Sequence, residues 1–342
     1  MFIETILKNG LFFLLLFVSA TAFGENAAKS PVKIRAGHFP NVTHAPALLG
    51  QAAGRFEKAF GETAQIEWKI FNAGPEAIEA LSAGAVDILY VGPNPAVNGF
   101  VRSKKEALRI LAGAASGGSA FVVRDGSGIK KFEDIRGKRV ASPQIGNSQD
   151  VALRHLMSEK GIKSKTEGGD VEIFNLSGAD QLTALLKGQV AGVWTVEPWV
   201  SRLVSEANGT ILFDEKSLWP TGVYATSVLV ARKKFLDEHP ELVQTWVDAH
   251  VDIIRWMNQH KNEAKQTVNE ELKRETGKAL PVTYLDQSFD RILFTDNPME
   301  SSVRESANRA FHIGFLGKKD IDLADLYDLS FLNKANERPK GK

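Results

Sequence analysis

Glu79-Ala-Leu-Ser-Ala-Gly-Ala-Val-Asp87, running on as Ile88-Leu-Tyr-Val91 and Gly92-Pro-Asn-Pro95, returns about 104 positions later. The second copy is Thr183-Ala-Leu-Leu-Lys-Gly-Gln-Val190, then Ala191-Gly-Val-Trp194 and Glu197-Pro-Trp199. Each copy reads as a helix, a Gly turn that ends it, a short apolar strand, and a Pro at the start of the next helix. Working outward, Arg35-Ala-Gly-His-Phe-Pro-Asn-Val-Thr-His-Ala-Pro-Ala-Leu48 pairs at about the same offset with Val140-Ala-Ser-Pro-Gln-Ile-Gly-Asn-Ser-Gln-Asp-Val-Ala-Leu153. Both read as a strand, a polar Gly/Pro/Asn loop and a helix start. Two matches at one offset predict an α/β unit used once per half, hence two similar lobes with a ligand between them. No short-period solenoid repeat is visible.

The 342 residues suffice for two lobes with their own cores. A net charge of +1, with 24% charged residues, argues against a nucleic-acid partner. Lys8, the apolar run Leu11 to Val18 and the small residues Ser19-Ala-Thr-Ala22 follow the order of a secretory signal. Residues 1–24 are therefore read as a signal peptide, cut after Ala22 or Gly24. The apolar run is short for a bilayer span. The chain has no cysteine, which excludes thiolate metal sites, iron–sulfur clusters and Cys nucleophiles, and also the Cys that a lipid anchor requires. The mature protein is expected to be periplasmic, free and soluble.

Strands are predicted at Val32 to Ala36, Ile66 to Phe71, Asp87 to Val91 and Leu108 to Ala112, alternating with helices from Thr43, Pro75 and Ala96. Gly113-Ala-Ala-Ser-Gly-Gly-Ser119, between strand-like segments, reads as a crossing between lobes, and Tyr224 to Ala231 as a second. Between them lies a complete α/β unit with strands at Arg139 to Ala141, Val171 to Phe174 and Gly192 to Val196. Lobe I is expected over 31–113 and again over 226–342 with C-terminal helices, and lobe II with the crossings over 114–225. Pro240 to His260 has apolar residues at helical spacing, read as core. Asn333 to Lys342, polar and basic, reads as a solvated tail. The fold class is α/β.

Four loops join strand ends to helix starts: Pro40 to His44, Gly92 to Asn94, Gln144 to Ser148 and Thr195 to Trp199. Ligands of open α/β sheets lie at such ends, where helix N-termini offer free N–H groups. The loops hold no Lys or Arg, which suits a small oxyanion bound by neutral donors. The candidate contacts are Asn41, Thr43, His44, Gly92, Pro93, Asn94, Gln144, Asn147, Ser148, Trp194 and Glu197, with Ser116 and Tyr224 from the crossings. Asn41, Thr43, Asn94, Asn147 and Ser148 either donate to a ligand or cap their own helices. His44 either bonds an anion or is structural. Trp194 either covers an alkyl or aryl group or packs in a core. Glu197 either pairs with a ligand amine or makes a structural contact, and the structural reading is favoured. His38 and His44 have neither helical spacing nor an acidic partner, so no metal site is expected. The chain has no nucleophile elbow, P-loop or His-Glu-x-x-His, so neither a cofactor nor an enzyme is expected.

Gly37-His-Phe-Pro-Asn-Val-Thr-His-Ala-Pro-Ala-Leu-Leu-Gly50 resembles the opening of periplasmic solute-binding proteins of the nitrate/sulfonate/taurine type. The run ending at Asp87, Asp134-Ile-Arg-Gly-Lys-Arg-Val140, Glu197-Pro-Trp199 and Phe235-Leu-Asp-Glu-His-Pro-Glu-Leu-Val243 are similar to that family's motifs, in its order. The resemblance implies a type II periplasmic-binding fold, two α/β lobes joined by two crossing strands. It implies delivery of a small anion to an ABC permease in the inner membrane, and the protein is expected to be a monomer. Family ligands include aliphatic sulfonates, taurine, nitrate, bicarbonate and pyrimidine precursors. The neutral rim and the Trp pair favour an alkyl or aryl sulfonate. The related pyrimidine synthases are enzymes with a Cys-rich motif, which this chain lacks.

Overall fold

The computed structural model describes residues 30–317 and 322–338, so the predicted leader lies outside the described residues. The first half of the chain runs β1 (Val32–His38), α1 (Ala45–Ala52), α2 (Arg55–Phe60), β2 (Ala64–Ile70), α3 (Gly74–Ser82), β3 (Ile88–Val91), α4 (Pro93–Arg102) and β4 (Leu108–Gly117). The middle runs β5 (Ser119–Arg124), β6 (Arg139–Ser142), α5 (Ser148–Glu159), β7 (Glu172–Asn175), α6 (Gly178–Leu186), β8 (Gly192–Val196), α7 (Trp199–Glu206) and β9 (Gly209–Asp214). The remainder runs β10 (Ala225–Arg232), α8 (Lys233–Glu238), α9 (Pro240–Gln259), α10 (Lys261–Thr276), α11 (Val282–Arg291), β11 (Ile292–Phe294), α12 (Glu300–His312) and α13 (Ser330–Glu337).

Two sheets result, in the orders β11-β4-β10-β3-β1-β2 and β7-β6-β8-β5-β9. The repeat of the sequence is a repeat of topology. In one sheet β2, β1 and β3 run parallel and β10 lies antiparallel beside β3. In the other β7, β6 and β8 run parallel and β5 lies antiparallel beside β8. Even the register repeats: Ala36 pairs with Ile88, and Val140 with Gly192.

Strand β3, in the interior of the larger sheet, is covered on both faces and is apolar throughout, whereas the edge strand β2 carries Gln65, Glu67 and Lys69. Along β3, Ile88 and Tyr90 join a core with α1, α2, α9 and α10, while Leu89 and Val91 join one with α3, α4 and α12. In the smaller sheet, Phe121 and Trp194 pack toward α5, and Val122 and Val193 toward α6 and α7. The period of two in a strand produces this alternation.

The chain first passes between sheets at Gly117 and Gly118, with φ of +81° and +75°. A Cβ on Gly117 would also lie 2.6 Å from the Arg291 carbonyl oxygen, so glycine is required twice over. The second expected crossing needs correction. Ala225–Arg232 is β10, a strand inside the larger sheet, and the return passage lies just ahead of it, after Asp214. The helix expected from Thr43 is instead a 3-10 turn at Val42–His44 followed by two helices, α1 and α2, separated at Gly54, which is left-handed. The C-terminal tail also differs: α13 reaches Glu337 and buries Phe331, Leu332 and Ala335.

Candidate functional site

A cavity of about 260 Å³ lies between the two sheets, just below the roughly 300 Å³ at which pockets for drug-sized ligands begin. It sits at the carboxyl ends of parallel strands from both sheets, bounded by the residues that follow β1, β2, β3, β6, β7 and β8. The starts of α3, α5, α6 and α7 line it, as does the 3-10 turn Val42–His44 that leads into α1. First-turn N–H groups of a helix have no partner within the helix, and each N-terminus carries about half a positive charge. Among the described residues, the lining contains no Asp, Glu, Lys or Arg. Phe39, Phe71, Leu176 and Trp199 supply apolar walls.

His44 is the one titratable group of that lining. It is buried and stacked on Phe39 with ring centroids 4.6 Å apart. Burial, with a smaller contribution from His38, pushes its pKa down to about 3, so the ring is neutral near pH 7. Its Nδ1 is buried and has no hydrogen-bond partner.

The lobes touch across the cleft. Trp199 Nε1 donates to Asn41 Oδ1 at 3.2 Å. The Gly74 N–H donates to Asn147 Oδ1 at 3.1 Å, and the Asn94 N–H to Ser148 Oγ at 3.3 Å. A Cβ on Gly92 would come within 2.7 Å of Ser148 Oγ, so glycine there permits the approach. Asp150, fully buried, fixes the loop that carries Gln144, Asn147 and Ser148. It accepts from Ser142 Oγ at 2.8 Å, the Gly146 N–H at 3.1 Å, Asn175 Nδ2 at 2.9 Å and Arg154 Nε at 3.0 Å.

The structure brings Asn41, Thr43, His44, Gly92, Gln144, Asn147 and Ser148 together around the cavity. It places the other candidates elsewhere, each for a physical reason. Pro93 and Pro95 have no N–H, the Asn94 N–H goes to Ser148, and Asn94 Nδ2 donates to the Ser306 carbonyl at 2.9 Å. The start of α4 therefore has little left to offer a ligand. Trp194 turns into the core beside Phe121, Phe132 and Phe213, and its Nε1 donates to Glu215 at 2.8 Å. Glu197 is fully buried at the contact between lobes, where it accepts from the Ser201 N–H and Ser288 Oγ, each at 3.1 Å. Arg291 Nε faces it at 3.1 Å. Ser116 Oγ accepts the Tyr224 N–H at 3.1 Å, and the Tyr224 ring stacks on Trp219.

Sequence reasoning missed Phe71, Asn72, Asn175, Leu176 and Ser177, which line the cavity. The repeat carried the signal. Phe71-Asn-Ala-Gly74 and Asn175-Leu-Ser-Gly178 precede its two copies, each a strand end entering a helix. Glu215, which the sequence did not single out, is buried and accepts from Ser119, Trp194 and Trp219 without lining the cavity.

Comparison with known proteins follows the same lines. The chain is 30% identical over 228 residues, 64% of its length and 68% of the relative's, to the taurine-binding periplasmic protein of Escherichia coli strain K12. It is 26% identical over 338 residues, 97% of its length and 98% of the relative's, to a putative aliphatic sulfonates-binding protein of Bacillus subtilis strain 168. In three dimensions it is similar to the alkanesulfonate-binding protein SsuA of Xanthomonas axonopodis pv. citri bound to MOPS, with a TM-score of 0.73 and 20% identity over 89% of this chain and 100% of that one. The two α/β lobes of the larger fold are thus those of solute-binding proteins, as the quoted motifs imply. A family model described as the NMT1-like family matches residues 27–270, and the chain belongs to that family.

Proposed function

We propose that the chain is the substrate-binding component of an ABC importer. It holds a small organic anion, an aliphatic or aryl sulfonate, between its lobes and delivers it to a permease in the inner membrane. In this reading the chain up to Gly117 and from Ala225 onward forms one lobe, and the stretch between them forms the other. The protein works in the periplasm as a monomer, after loss of its leader.

One observation carries the reading: positive helix ends converge on a cavity whose described lining has no fixed cation. Each helix end contributes about 0.3–2 kcal/mol toward an anion. A micromolar ligand needs about 8 kcal/mol, so several ends and both lobes must act together. The walls of Phe39, Phe71, Leu176 and Trp199 favour an organic tail over bare nitrate or bicarbonate. The names of the relatives support the same ligand class. Asn41, Thr43, His44, Gln144, Asn147 and Ser148 are the proposed contacts, joined by Asn72, Asn175 and Ser177. The role is reversible binding, and the chain offers no cysteine as a nucleophile.

A thermal-shift panel on the purified mature protein tests this. At a concentration 100 times its dissociation constant, an alkanesulfonate should stabilise the protein by about 2.7 kcal/mol. With no lining group other than the neutral His44 to titrate, that gain should be flat across roughly pH 5–8. Stabilisation by nitrate or bicarbonate but by no sulfonate would overturn the ligand assignment. Conversion of a bound sulfonate to product would overturn the binding role.

A further inference from the structure

We infer that the cavity selects sulfonates whose tail is uncharged, such as 2-hydroxyethanesulfonate, and rejects the zwitterionic aminoalkanesulfonates of the same size, such as taurine. The inference rests on the sulfonate reading above and goes one step further, to the far end of the ligand.

An ammonium group taken out of water needs a carboxylate or several acceptors, because the desolvation of a lone cation costs several kcal/mol. Each carboxylate nearest the cavity is otherwise engaged. Glu197 sits between the lining residues Val196 and Trp199, but its Oε2 accepts from Ser201 and Ser288, and its Oε1, which has no hydrogen bond, is already neutralised by the Arg291 guanidinium 3.1 Å away. Asp150 follows the lining residue Gln149, but it receives Ser142, Gly146, Asn175 and Arg154. Asp180 is exposed and accepts the Ser177 hydroxyl at 2.6 Å.

The backbone works in the same direction. The helices that end at the cavity present their positive ends to it, which favours the sulfonate and opposes an ammonium. What the lining can offer a tail is neutral. Gln181 is fully buried, and while its Nε2 donates to the Leu176 carbonyl at 3.1 Å its Oε1 has no partner. The His44 Nδ1 is likewise buried and unpartnered. A hydroxyl can both give and accept a hydrogen bond, so it can satisfy either atom without bringing a charge.

Titration calorimetry with the purified protein separates the cases. At pH 7, ethanesulfonate and 2-hydroxyethanesulfonate should bind, and taurine should bind at least about 30-fold more weakly. As pH rises toward the pKa of the taurine ammonium, taurine should bind about tenfold more tightly per pH unit, while 2-hydroxyethanesulfonate stays constant. Taurine within about threefold of 2-hydroxyethanesulfonate at pH 7, or a taurine affinity flat in pH, overturns this inference and leaves the sulfonate reading intact. No binding of any sulfonate overturns both.

Discussion

Replacing Glu197 by alanine is expected to raise the dissociation constant for a sulfonate about 100-fold, or roughly 2.7 kcal/mol. Glu197 belongs to the turn between β8 and α7, while Ser288 and Arg291 belong to α11, which packs beside β11 and the larger sheet. Their contacts with Glu197 at 3.1 Å are therefore contacts between lobes. They hold the two lobes together in this structure, so their loss weakens a ligand site built from both lobes. Removing the carboxyl leaves two buried donors, the Ser288 hydroxyl and the Ser201 N–H, without this acceptor, and a buried donor so left costs about 1–3 kcal/mol.

The charge itself is the weaker part of this clasp. Burial raises the pKa of Glu197 above the usual 4.5, and the bonds from Ser201 and Ser288 and the charge of Arg291 only partly offset it. Its contribution is therefore greatest below the usual glutamate value and fades as pH rises through the raised one. Glutamine keeps the shape and an acceptor oxygen and removes the buried charge. Glu197→Gln should stay within about tenfold of the parent in affinity. Calorimetry on both variants decides: wild-type affinity in the alanine variant would remove Glu197 from the closure, and equal losses in both would make its charge the essential part.

Asp87→Asn is expected to lower unfolding stability by about 3 kcal/mol at pH 7. Asp87 closes the first copy of the repeat, and its carboxylate is fully buried. It accepts from Arg35 through Nε at 2.7 Å, a second guanidinium nitrogen at 2.8 Å and the backbone N–H at 3.1 Å. Arg232 of β10 adds two more bonds, at 2.7 and 3.2 Å. One side chain thus ties β1, the start of β3 and the end of β10 together. Asparagine would leave two guanidinium groups without their anion, although Arg35 keeps 32% of its side chain in water, which limits the loss.

Burial alone would raise the Asp87 pKa, but the bonds from Arg35 and Arg232 outweigh it and hold the value below the usual 3.8. A depressed pKa contributes stability above the unfolded value that is lost as pH falls through the folded one. The gap between parent and variant in urea unfolding should therefore hold from neutral pH down to about 4 and narrow below it. A gap under about 1 kcal/mol at pH 7, within the range of an ordinary hydrogen bond, would contradict this account.

The architecture was legible because duplication leaves both a pattern and an offset. The match of Glu79–Asp87 with Thr183–Val190 pointed to one α/β unit in each half, and the pairings Ala36↔Ile88 and Val140↔Gly192 show that the units also share a register. The loops holding Asn41, His44, Asn147 and Ser148 were legible for the same reason. Residues whose role depends on a distant partner were not. Trp194 stands beside a site loop in sequence, but the alternation of β8 and the acceptor Glu215 draw it into the core. Asn94 looks like a free donor until Ser306, 212 positions away, takes its amide. The C-terminal helix α13 was lost because its apolar residues Phe331, Leu332 and Ala335 straddle the start of a basic stretch.

The central claim is that two lobes close on a small organic anion. The chain has no cysteine, so two can be introduced and spin-labelled without background. Glu79 on α3 and Thr183 on α6 open the two copies of the repeat, are exposed, and stand on helices whose starts line the cavity from opposite lobes. With cysteines at both positions, pulsed dipolar spectroscopy should show the distance between labels shorten and its distribution narrow when saturating ethanesulfonate is added. A distribution unchanged by ethanesulfonate, under conditions where calorimetry shows it bound, would contradict closure of the lobes on the ligand.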